Sequence, residues 1–74
     1  MKIRLKNVVW KQKNGNFEAH IGKIGVVSVL FTDNGYKVDV FGNLVKFRFD
    51  DIETAKLVSL MTAEKLISDV IFVD

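Results

Sequence analysis

A chain of 74 residues without cysteine has neither a disulfide framework nor a thiolate metal site to support it, and at this size only roughly 60% of the unfolded surface is buried on folding. Its length caps it at one domain, and 49% hydrophobic content with six Phe excludes a disordered chain, so stability has to come from apolar packing or self-association. The net charge of +2 is split unevenly: residues 1–49 carry nine Lys or Arg against three acids, and residues 50–74 carry six acids against Lys56 and Lys65, giving the two parts opposite signs.

The opening alternates apolar Ile3 and Leu5 with basic Lys2, Arg4 and Lys6, the period of two that marks a strand with one wet face. Val8, Val9 and Trp10 prolong it, so a first strand is predicted over about 2–11. Asn14-Gly15 supplies the positive φ of a tight hairpin. Phe17, Ala19 and Ile21 alternate with Glu18, His20 and Gly22, which predicts a second strand over about 16–22. A third, over about 25–32, is apolar on both faces through Val26-Val-Ser-Val-Leu-Phe31.

Asp33-Asn34-Gly35 predicts a type I′ hairpin leading into a fourth strand over about 36–41, with Tyr36, Val38 and Val40 on one face. Gly42-Asn43 turns the chain into a fifth over about 44–49, with Val45, Phe47 and Phe49 expected inward and Lys46 and Arg48 outward. Asp50 with Glu53 fits an N-cap and its partner at the start of a helix over about 51–68. Its predicted apolar stripe is Ile52, Ala55, Leu60, Ala63, Leu66 and Ile67, with Lys56 and Ser59 at the margin. The β-branched tail over 70–73 reads as a last edge strand. The expected fold is α+β: an antiparallel β-meander of about five strands packed on one C-terminal α-helix.

No run approaches the roughly 18 apolar residues of a membrane span, and the start lacks the pattern of a secretory signal, so a soluble cytoplasmic protein without membrane contact is expected. Catalysis needs a pocket with poised nucleophiles, acids or metal ligands, whereas the chain offers His20 alone, no Cys and no Gly-rich phosphate loop. No catalytic residue, metal or cofactor is therefore expected. Capping accounts for Asp50-Asp51 without chemistry.

Binding is better provided for. Alternation places Lys2, Arg4, Lys6, Lys37, Lys46 and Arg48 on the sheet face opposite the helix, with His20 and Phe41 among them, and charge interleaved with an aromatic suits phosphate contact plus base stacking. Glu18 and Asp39 share that face, and Val26, Leu30 and Leu44 add the apolar area of a protein interface. Leu57, Val58 and Met61 fall outside the helix stripe and form a candidate apolar docking patch. Trp10, beside Lys11 and Lys13, is a candidate exposed aromatic, against the simpler role of burying its ring over one end of a small core. A protein partner or a second copy of the chain is the favoured occupant, with nucleic acid as the alternative.

Trp10, then Gly15-Asn16-Phe17-Glu18-Ala19, the Asn34-Gly35-Tyr36 hairpin and Phe49-Asp-Asp-Ile-Glu-Thr-Ala55-Lys56 together resemble short phage or mobile-element proteins built as a meander followed by one helix. The outline is also similar to the amino-terminal DNA-binding domains of phage-type integrases, whose three-stranded sheet, backed by a helix, lies in the major groove. The resemblance spans most of the chain. Phage origin implies a small inhibitor or regulator that occupies a host protein's surface, and the integrase outline implies DNA binding.

Overall fold

Alternation carries through to the computed structural model, which describes residue 5 and residues 8–71, with side chains described as far as residue 69. Five strands, β1 (Lys11–Lys13), β2 (Asn16–Ile21), β3 (Gly25–Thr32), β4 (Gly35–Val40) and β5 (Asn43–Phe49), form one antiparallel sheet in sequence order, followed by α1 (Ile52–Ile71). The α+β meander backed by one helix is therefore present. On the inner face Ala19, Ile21, Val27, Val29, Val38 and Val40 are buried with Ala55, Ala63 and Ile67 of α1.

The helix overlies β3, β4 and β5. Ala55, Ser59 and Ala63, spaced four apart and so on one helix face, have small side chains that let it settle on four valines that are fully buried. Ser59, expected at the margin of the stripe, is buried at its centre; its hydroxyl donates to the Lys56 carbonyl at 2.6 Å, which meets the cost of burying it. Leu60, expected in the stripe, is half-buried. The helix cap is Asp51 rather than Asp50: its Oδ2 accepts from the Thr54 backbone N–H and hydroxyl, each at 3.0 Å, the pairing of an N-cap with N3.

Both ends depart from expectation. Strand β1 begins only at Lys11; Val8, Val9 and Trp10 are not strand, and residues 2–4, 6 and 7 lie outside the described residues. The apolar side chains explain the departure, because Leu5, Val8 and Trp10 pack against the core, and the Leu5 N–H donates to Glu64 Oε2 of the helix at 2.7 Å rather than to a strand. Since α1 does not overlie β2, this segment gains more by filling that flank than by extending an edge. At the other end Val70 and Ile71 continue α1, and residues 72–73 of the expected final strand lie outside the described residues. Asp69, Val70 and Ile71 include no Gly or Pro to stop the helix there, and propagation overrides β-branched propensity.

Turn chemistry explains the registers. Asn14 (φ 53°) and Gly15 (φ 82°) form the expected tight hairpin, with positive φ at both loop residues as in a type I′ turn. In the β3–β4 hairpin Thr32 pairs with Gly35, so the loop is the two residues Asp33 and Asn34; neither has positive φ, and the positive φ falls on Gly35 (113°), so the turn is not the expected type I′. The Thr32 hydroxyl holds it, donating to the Gly35 carbonyl at 2.6 Å and accepting from the Asn34 N–H at 3.2 Å. The next turn is Phe41-Gly42, because Asn43 is already paired with Val40, to whose carbonyl its side-chain amide donates at 3.2 Å.

The β4–β5 ladder contains a bulge. Val40 pairs with Asn43 and Asp39 with Leu44, yet Lys37 pairs with Arg48 and Tyr36 with Phe49, so Val38 alone spans Val45, Lys46 and Phe47. Two extra residues preserve the alternation at both ends and disrupt it between them. Phe47, expected inward, is consequently 72% exposed, whereas Val45 and Phe49 pack on the core.

Candidate binding surface

Because the helix occupies one face, the other is where exposed chemistry gathers. The outward residues fall in rows across the sheet. One row runs Lys11, Glu18, Ser28, Asp39 and Leu44; the next holds Leu30, Lys37 and Arg48; a third pairs His20 with Val26. Ser28 and Leu30 separate two open depressions. One, of about 340 Å³, is lined also by Ile24, Val26, Asp39 and Phe41; the other, of about 210 Å³, by Lys13, Asn14, Asn16 and Glu18.

The rim of the larger depression is the turn after β4. Phe41 sits at φ 54°, a left-handed conformation that is costly for a bulky side chain. Its N–H donates to the Val26 carbonyl at 3.0 Å, and Asp39 Oδ1 accepts from the Gly42 N–H at 3.0 Å, so both strands hold the strained residue in place. Its ring lies over Gly25, where a Cβ would come within 2.6 Å of a ring carbon. Only glycine at position 25 leaves room for that ring. Phe41 is half-buried and packs against the core as well as lining the depression.

The basic residues expected on this face separate into groups. Lys37 and Arg48 stand opposite each other on β4 and β5, with exposed Lys46 two residues before Arg48 in the bulged segment, while Lys2, Arg4 and Lys6 lie outside the described residues. His20 is exposed on β2 with its Nε2 at 3.7 Å from Glu18 Oε1, an ion pair when the imidazole is protonated and the only one among the described residues. Glu18 and Asp39 flank Ser28 in the middle row, so acid and not base borders the centre of the face. Apolar area is contributed by Val26 and Leu30, both half-buried, and by Ile24 and Leu44, each more than half exposed.

Trp10 is not free. It is half-buried against the core, and Lys56 Nζ lies 5.6 Å from its ring centroid and 4.3 Å from that of Phe17, joining helix, β2 and the N-terminal segment through one cation. Leu57 and Met61, one helical turn apart, are more than half exposed on α1, and Val58 is half-buried. These residues sit on the far side of the molecule from the outer sheet face and do not join it.

Sequence reasoning missed two exposed aromatics. Phe31, which alternation puts on the inner face, is 60% exposed and meets Tyr36 edge-on at 5.5 Å, and Phe47 is freed by the bulge. A signal existed for Phe47 only in hindsight of the turn: regular pairing from Val40 with Asn43 would set it opposite Tyr36, a place that Phe49 takes. Among the described residues no group of three or more His, Cys, Asp or Glu side chains is placed to hold a metal ion, and no helix is long and apolar enough to cross a membrane. No family model matches the chain, and neither a curated protein nor a solved structure matches it, so the likeness to phage proteins has no matched relative behind it.

Proposed function

We propose that this chain is a non-enzymatic binding protein of the cytoplasm, a small regulator or inhibitor that docks on a protein partner, or on a second copy of itself, through the outer face of the sheet. One observation carries the reading: the helix covers a single face, and the other, uncovered among the described residues, has apolar area at Val26 and Leu30, continued by exposed Ile24 and Leu44, with charged residues beside it. An apolar centre with a polar rim is the composition of a protein interface. Glu18 and Asp39 beside that centre would repel a phosphate backbone laid across it.

A second reading, nucleic-acid binding, is favoured by a different observation, the gathering of Lys37, Lys46 and Arg48 at one corner of the sheet. It replaces the whole basic face with the β4–β5 corner.

Affinity capture from a cell extract, run beside light scattering, tests the leading reading. The wild type and a Leu57→Asp/Met61→Asp variant should retain the same protein, or form the same dimer, and a Leu30→Asp/Leu44→Asp variant should lose it. A monomer that retains nothing contradicts the proposal, as does capture that the sheet variant leaves intact.

A further inference from the structure

We propose that the β4–β5 corner binds single-stranded nucleic acid, with Phe47 as the platform on which a base stacks and Lys37, Lys46 and Arg48 as its phosphate contacts. This rests on the second reading above and goes beyond it by naming the form of the strand and the side chain that selects it.

The register supplies the first reason. Lys37 stands directly opposite Arg48 on the outer face, a placement that brings Cβ atoms to about 4.5–5.5 Å and is unfavourable for like charges. Neither forms an ion pair with a described acid. Folding therefore drives two cations together with no described acid to neutralise them, and a bound anion would relieve the repulsion.

Phe47 supplies the second. It is 72% exposed and flanked by exposed Lys46 and Arg48 in a segment where the bulge leaves three residues facing Val38. Bulges at sheet edges re-aim side chains, and this one leaves an exposed aromatic between two exposed cations in the sequence of the edge strand. Protection of an edge strand against aggregation would account for the bulge and for Lys46, but not for an aromatic placed on that edge, which invites association. Strand β5 is the last of the sheet among the described residues, so none of their strands blocks approach.

Stacking decides between strand forms. An aromatic ring takes the face of an unpaired base, which a duplex keeps inside its own stack, while cations along the same strand follow the backbone. Exposed aromatic and cations are consecutive residues of one edge strand here, so a single strand running along that edge can meet both.

Fluorescence anisotropy with a labelled 12-nucleotide oligothymidine and with a duplex of equal length, at 50 and 200 mM salt, provides the test. The single strand should bind more tightly than the duplex, and three phosphate contacts imply roughly a twenty-fold loss of affinity between the two salt concentrations. Phe47→Ala should weaken binding at least about five-fold, Phe47→Trp should restore it, and Lys46→Glu with Arg48→Glu should abolish it. Phe31→Ala, which removes the other exposed aromatic, should leave affinity unchanged. Because Phe47 is solvent-exposed, circular dichroism should show its variants folded.

No binding of either oligonucleotide at low salt overturns the proposal together with the second reading, and leaves the corner to a protein partner. Binding that Phe47→Ala does not weaken, that Phe31→Ala weakens equally, or that favours the duplex overturns the stacking site while the phosphate contacts stand.

Discussion

The inner and outer faces of this sheet are made from the same strands under different constraints. On the inner face Val27, Val29, Val38 and Val40 meet small helix residues with no exposure at all, so the tolerance is about a methyl group. On the outer face Val26, Ser28 and Leu30, their immediate neighbours in the chain, are half-exposed and have no covering layer among the described residues. The comparison teaches that stability is concentrated on one face and that the other is free to take up binding chemistry. The bulge in β5 marks where the division fails, since there the alternation that sorts residues between the faces is interrupted.

The comparison can be broken most forcefully at the helix–sheet contact. Ala63→Leu adds three carbons where none fit and should cost about 3 kcal/mol, measured as a lowered urea midpoint. Gly35→Ala comes next: the residue holds φ 113°, and its Cβ would stand 2.7 Å from the Phe49 carbonyl oxygen, so about 2 kcal/mol should be lost. Asp51→Ala removes the helix cap and should cost about 1 kcal/mol by the same measurement. Phe47→Ala should change stability by less than about 0.5 kcal/mol, since that ring is in solvent. A large loss from Phe47→Ala would mean that the bulge does not expose the ring.

Periodicity made β2, β3 and β4 legible, because a period of two maps directly onto buried and exposed positions and their turns carry Gly and Asn. It also marked Val26, Leu30, Leu44, Lys37 and Arg48 as outward. Register was not legible, since two extra residues in β5 leave the alternation intact at both ends while displacing Phe47. The N-terminal run has the pattern of a strand, yet Leu5, Val8 and Trp10 answer to an uncovered flank of the core, a tertiary fact that local pattern does not contain. Likewise Ser59 is polar by type and central by position; its bond to the Lys56 carbonyl makes that burial tolerable. Of the candidate site, the residue types could be read and their grouping into one corner could not.

The division between the faces is tested most directly by placing the same charge at two adjacent positions of β3 and following urea unfolding by circular dichroism. Val29→Asp buries an unpaired carboxylate among valines and should leave no cooperative transition. Leu30→Asp, which faces Lys37 across the ladder, should unfold cooperatively with a midpoint close to that of the wild type. Equal loss from the two substitutions, or a folded Val29→Asp, would contradict the account.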